Sequence, residues 1–217
     1  TLRFICLTTL LMQPTHLLPD TVLIDEPELG LHPYAINLLA DMLKQVAETG
    51  FSGVQNFPTV GLFDGIMRAN MEATGLGYDK EVDMVALAHE MDLLTTPYVF
   101  NEHEAQEMVR AGADLIVAHV GLTTGGTIGA AAAMTLDEAI DVTNRIAAAA
   151  RAIRSDILVI CHGGPFDEPE NVADALRRMP AVNGFYGATS MERLPVERAI
   201  TEQVRKFTQM STQPFEK

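Results

Sequence analysis

The sequence predicts an α/β fold built from about five strand–helix units, and three observations carry that expectation. From Gly50 onward, short apolar runs alternate with helix-periodic stretches, the rhythm of a parallel sheet covered by helices. Each apolar run ends on polar or small residues with a Gly or Pro close behind. Helix starts are also signalled: Thr135-Leu136-Asp137-Glu138 forms a capping box, and Pro195 suits a first helical turn.

Ahead of these units, Val22-Leu23-Ile24 reads as a short buried strand that delivers Asp25 and Glu26 at its end. Pro27, Gly30 and Pro33 force a turn. Ile36, Leu39, Met42, Leu43 and Val46 then give a helical stripe from about Pro33 to Glu48. A seam falls near Glu48-Thr49-Gly50 and divides the chain into residues 1–48 and 49–217. Beyond it the strand candidates are SGVQN, TTPYVFN, DLIVAHV, ILVICH and GFYGATS. Helices are expected around Gly65–Thr74, Glu81–Asp92, Glu104–Ala111, Leu136–Ile153, Asn171–Met179 and Pro195–Thr208.

Composition narrows the partners. At 217 residues and 47% hydrophobic the chain can bury a substantial core, as one or two domains. A net charge of -14 repels nucleic acid and anionic membranes, so neither is an expected partner. The apolar opening LRFICLTTLLM is far shorter than a membrane span and lacks a cleavage-site pattern. The chain opens on Thr1 rather than Met, which suggests a fragment or a trimmed product. Cys6 and Cys161 have neither metal-ligand spacing nor the number for a disulfide framework, and a reducing cytoplasm fits them best.

In a (β/α) barrel the reacting groups project from the C-terminal strand ends, and phosphate commonly sits in the loops after the last two strands. His162-Gly163-Gly164 and Gly187-Ala188-Thr189-Ser190 occupy those places, with Arg193 able to add a charge. Imidazole titrates near working pH, which makes His162 and His119 the acid–base candidates. Asn56 and Asn101 stand at two other strand ends and would orient substrate or water; Glu192 is a further candidate base. Strand alternation puts Ile160 and Leu158 on the face of His162, and Val117 and Leu115 on that of His119. Cys161 then faces the helices as a packing residue. GLTTGGTIGAAAAM, after His119, reads as a lid or a flexible connection, while His89 and His103 are expected to face solvent and His16 lies in a loop.

These strings carry two resemblances. TVLIDEPELGLHP resembles the Walker B and D-loop region of ABC-type AAA ATPases over roughly the first 48 residues. It implies Asp25 as the metal ligand of a completed site, Glu26 as the catalytic base and His32 as the switch residue. No Gly-x4-Gly-Lys-Ser/Thr loop is present, so nothing cradles phosphates and the segment reads as an ATPase relic. GFSGVQNFPTVGLFDG, DLLTTPYVFN, ADLIVAHVGLTTGGTIGA, CHGGPFDEPE and GFYGATSMERLPVERAITEQ closely resemble the phosphoenolpyruvate hydrolase-like TIM-barrel family, from Gly50 to about Phe207. That resemblance implies a partial TIM barrel with hydrolase or lyase chemistry on a small phosphorylated or 2-oxo acid. The expected partner is thus a small anionic substrate, the cofactor is open with Mg²⁺ as the candidate, and open sheet edges predict self-association. Two other readings stand beside it: an ABC-type ATP-binding module with a barrel partner domain, and a non-functional chimera.

Overall fold

The computed structural model describes residues 41–210, apart from 42, 58, 128, 131 and 132. Asp25, Glu26, His32 and the Val22 strand therefore lie outside the described residues. Residues 43–48 are helical, as the stripe predicts, and bury Leu43 and Val46.

Six short strands come next: β1 (Gly53–Val54), β2 (Leu94–Thr95), β3 (Tyr98–Val99), β4 (Leu115–His119), β5 (Leu158–His162) and β6 (Gly184–Phe185). The helices are α1 (Gly65–Ala73), α2 (Tyr78–Glu90), α3 (Glu102–Arg110), α4 (Leu136–Ile153), α5 (Pro169–Arg178) and α6 (Arg193–Thr208). Every strand pairing is parallel, β1 with β2 and then β3, β4, β5 and β6 in order. This is the topology of consecutive strand–helix units in a partial barrel. Among the described residues β1 and β6 each keep one edge without a partner strand.

One expected strand is corrected. TTPYVFN does not run through; it is interrupted at Pro97 into β2 and β3. Pro97 has no N–H to give the ladder, so the run changes neighbours there. Thr96 N–H donates to Val54 O on one side, and Val117 N–H donates to Pro97 O on the other. Counted as one interrupted run, 94–99 keeps the sheet at the five positions the sequence predicts.

Alternation sorts the two faces of the sheet. Ile116, Ala118 and Val159 are buried in a core with Ala105, Met108 and Val109 of α3 and Ile146, Ala147 and Ala150 of α4. Cys161 packs with Ala139, Ile140, Phe166, Ala175 and Met179, under α4 and α5, as the alternation predicts. The opposite face is less covered: Leu158 is 49% exposed, and Leu115 and Ile160 are half-buried. Its upper end, where the histidines stand, is closed by aromatic rings.

Helix α4 has the bounds read from the sequence because its start is fixed chemically. Thr135 Oγ1 accepts from Glu138 N–H, and the Glu138 carboxylate accepts from Thr135 N–H at 2.8 Å. The exposed histidines His89 and His103 lie on α2 and α3, facing solvent as expected.

Candidate active site

Register aligns the site. His119 is paired with His162 across β4 and β5, and Val117 with Ile160 one layer below. Tyr98 is level with Val117, which puts Phe100 level with His119; Ile160 is level with Gly184, which puts Tyr186 level with His162. Four neighbouring strand ends thus contribute rings to one layer. The imidazole centroids of His119 and His162 are 4.8 Å apart, edge to face. Tyr98 lies 5.1 Å from His119 and 5.0 Å from His162, Phe100 4.8 Å from His119, and Tyr186 5.7 Å from His162. Phe57 completes the wall, stacked 6.3 Å from His119.

Hydrogen bonds fix the two tautomers in opposite senses. His162 Nδ1 lies 2.7 Å from Tyr186 O, and a carbonyl only accepts, so Nδ1 carries the proton and Nε2 keeps its lone pair. Gly121 N–H donates to His119 Nδ1 at 3.1 Å, so that nitrogen is bare and Nε2 carries the proton. The site therefore holds one basic nitrogen and one neutral N–H donor.

Both rings are kept neutral. His119 is 3% exposed, and burial, then repulsion from a charged His162, pulls it down to about 3. His162 is 8% exposed; burial lowers it too, opposed by the Tyr186 carbonyl, which favours its charged form. Burial likewise raises the Tyr98 and Tyr186 phenols. The Cys161 thiol is pushed up to about 12 by burial, which suits a packing residue and not a nucleophile.

The other sequence candidates take different places. Asn56 is fully buried and its amide is committed: Oδ1 accepts from Tyr98 N–H at 2.7 Å, and Nδ2 donates to Glu81 Oε2 at 2.5 Å and to Tyr98 O at 3.4 Å. It stitches β1 to β3 across the break at Pro97, and in this structure it addresses the backbone of Tyr98. Asn101 is an exposed N-cap of α3, its Oδ1 accepting from Glu104 N–H. Glu192 is exposed at the start of α6.

Gly163 and Gly164 have positive φ, 79° and 53°, and stand against the β4 loop. A Cβ on Gly163 would collide with Gly121 O, and one on Gly164 would come within 2.9 Å of Val120 O. Gly164 N–H is spent on Gly121 O at 2.8 Å. These glycines serve the close approach of two loops. The amides of Gly187, Ala188, Thr189 and Ser190 carry no hydrogen bond among the described residues. Arg193 is engaged, pairing with Glu197 at 2.7 Å and donating to Gly125 O at 2.9 Å.

Sequence reasoning missed the aromatic wall. The signal was available: Tyr98 and Phe100 are two apart on one run, and Tyr186 comes just after β6 as His162 ends β5. Among the described residues no group of three or more His, Cys, Asp or Glu is arranged to hold a metal, and no helix is long and apolar enough to cross a membrane.

The chain is 56% identical over 171 residues to the "ToMV susceptible protein tm-1(GCR26)" of Solanum lycopersicum, covering 79% of this chain and 23% of that protein. The same identity and coverage relate it to the "ToMV resistance protein Tm-1(GCR237)" of that plant. It thus spans about a quarter of the length of these curated relatives. FabK from Thermotoga maritima is a solved structure with a TM-score of 0.42 and 20% identity, covering 72% of this chain and 38% of that one. An AAA domain family model matches residues 1–56, so an AAA-type segment is joined to the strand–helix units. The phosphoenolpyruvate hydrolase-like model matches residues 32–210, the stretch that holds both histidines, and the chain belongs to that family.

Proposed function

We propose that this chain carries an acid–base enzyme site acting on a small phosphorylated or 2-oxo acid. The observation that supports it is the His119–His162 pair, held at adjacent strand ends in complementary neutral tautomers inside a ring of aromatic side chains. A phosphate or carboxylate would be held by the amides of Gly187, Ala188, Thr189 and Ser190, which carry no hydrogen bond among the described residues, and by the Gly163 turn, with Arg193 assisting after release from Glu197. Asn56, Asn101 and Glu192 are assigned structural or surface places and not contact with substrate. The proposed compartment is a reducing cytoplasm, consistent with a buried, unpaired Cys161.

Incubation of the purified chain with phosphoenolpyruvate and a panel of 2-oxo acids, monitored by NMR, tests this reading. Turnover should fall about 100-fold or more in His162→Gln, the usual range for a lost acid–base group. Gly187→Leu should weaken substrate binding; its side chain would displace Met191 and press on Phe185, so circular dichroism checks that the variant folds. Turnover indifferent to His162 would remove the pair from the mechanism.

The AAA-type segment is proposed not to bind ATP in this chain, because the sequence holds Asp25 and Glu26 but no phosphate-cradling loop. Calorimetric titration with Mg-ATP should show no saturation; micromolar binding that Asp25→Ala abolishes would reverse the assignment.

Self-association with a second copy is also proposed. The outer edges of β1 and β6 lack partner strands among the described residues, and Val196, Ile200, Val204 and Phe207 form an exposed apolar stripe along α6. Light scattering should report a species larger than the monomer, and a monomer at high concentration would exclude it.

A further inference from the structure

We infer that the histidine pair is built for proton abstraction beside a carbonyl, so that its ligand is a small carbonyl compound with an acidic C–H and its reaction is enolisation. The inference rests on reading that pair as the site, and it chooses between the two substrate classes left open above.

Enolisation needs a free base near carbon and a hydrogen-bond donor near oxygen that does not itself become charged. The structure supplies both on adjacent strands. Protonating His162 at Nε2 adds a proton where no bond is lost, and Nδ1–H keeps its bond to Tyr186 O. Protonating His119 at Nδ1 would set that proton against Gly121 N–H, donor against donor. His162 is therefore the ring that can gain a proton, and His119 is the one held as a neutral donor. Burial among Phe57, Tyr98, Phe100 and Tyr186 strengthens a hydrogen bond to a developing oxyanion.

Phosphoryl transfer asks for something else. Charge spreading over phosphate oxygens is met by metal ions, Lys or Arg. The rings that wall the pair among the described residues, Phe57, Tyr98, Phe100 and Tyr186, are uncharged, Gly164 N–H is spent on Gly121 O, and Arg193 is paired with Glu197. The buried end of the site thus suits an uncharged carbonyl.

In the step itself, His162 Nε2 takes the proton from the carbon next to the carbonyl. The C–H electron pair becomes the new C=C bond, and the carbonyl π pair moves onto oxygen. His119 Nε2–H donates a hydrogen bond to that oxygen and keeps its proton. Return of the proton from the His162 imidazolium to carbon restores the carbonyl and the free base. In heavy water the imidazolium exchanges its proton, so deuteron returns to carbon.

Exchange of the methyl protons of pyruvate, and of the carbon-bound protons of hydroxyacetone, in heavy water by ¹H NMR tests the inference with the full chain. The two probes separate a need for a carboxylate from a need for the carbonyl alone. Catalysed exchange of at least one probe is expected, about 100-fold slower in His162→Gln. It should also be slowed in His119→Phe and partly restored in His119→Gln, whose amide can still donate; circular dichroism confirms that each variant folds. Exchange no faster than the buffer blank, or unchanged by all three substitutions, overturns the inference. Phosphoenolpyruvate turnover that depends on His162 without any carbonyl exchange would leave the site standing and remove enolisation alone.

Discussion

Acidification from pH 7 to pH 4 is expected to destabilise this protein steeply, with His119 carrying the largest share. Its folded value is about 3, against 6.5 for the free imidazole. Above pH 6.5 neither state binds the proton, and the neutral buried ring costs nothing. As pH falls below 6.5 the unfolded chain takes up a proton that the folded chain refuses, so stability falls with pH until about pH 3. A shift of this size corresponds to a loss on the order of 5 kcal/mol across the window, comparable to the whole stability of many domains. His162, also lowered by burial, acts in the same direction. The carboxylates lowered by their ion pairs or caps, among them Glu102, Glu138, Asp174 and Glu197, lose their contributions only further down, as pH falls through their folded values. Urea denaturation at half-unit intervals from pH 7.5 to 4 measures the slope. His119→Gln has no proton to gain and should flatten it. Superimposable slopes for the two proteins would show that the ring is not held neutral by burial.

The strand–helix rhythm was legible because each element carries its own local signal. Leu136–Ile153 is bounded as read because a capping box is a side-chain contact between residues three apart, complete within the sequence itself. Helix α1 begins at Gly65 as read, while α2, α3, α5 and α6 begin two or three residues earlier than read; Gly77 and Glu168 give α2 and α5 no side-chain cap. Cys161 and the histidines were placed on opposite faces by alternation alone, a period-two rule that needs no tertiary knowledge.

The polar residues at strand ends were harder to read. Asn56, Asn101 and Gly164 each stand where a catalytic group would, yet their hydrogen bonds go to the Tyr98 backbone, Glu104 N–H and Gly121 O. An asparagine that caps a helix and one that orients water look alike in sequence, because the difference lies in what the fold brings opposite it. Pro97 was visible, but its effect was not. Only the register shows that the run pairs with β1 before it and with β4 after it, and that Asn56 spans the gap.

Replacing Glu81 by Leu is expected to cost about 3–4 kcal/mol and to disturb the histidine pair from a distance. Glu81 is 2% exposed on α2, and its two oxygens accept from Val60 N–H at 2.8 Å and Asn56 Nδ2 at 2.5 Å. A leucine leaves both donors buried without that acceptor, and each such loss costs about 1–3 kcal/mol. The melting temperature should fall by roughly 10 °C in a chain of this size. Glu81→Gln keeps one acceptor oxygen and turns an amide donor toward the other partner, so about half the loss is expected. Contrast the Arg68–Glu72 pair, whose carboxylate is half exposed: Glu72→Gln should cost less than about 1 kcal/mol. Glu81 also reaches the site through a short chain of contacts. It holds Asn56, Asn56 holds the Tyr98 main chain, and the Tyr98 ring lies about equally close to both imidazoles. Once Asn56 is released, water should reach the rings and His119 should titrate closer to its ordinary value. NMR titration of the two histidines reads this separately from stability. A Glu81→Leu protein that melts lower but leaves both imidazole signals unmoved would confine Glu81 to holding the fold, and would show that the ring layer stands without the Asn56 stitch.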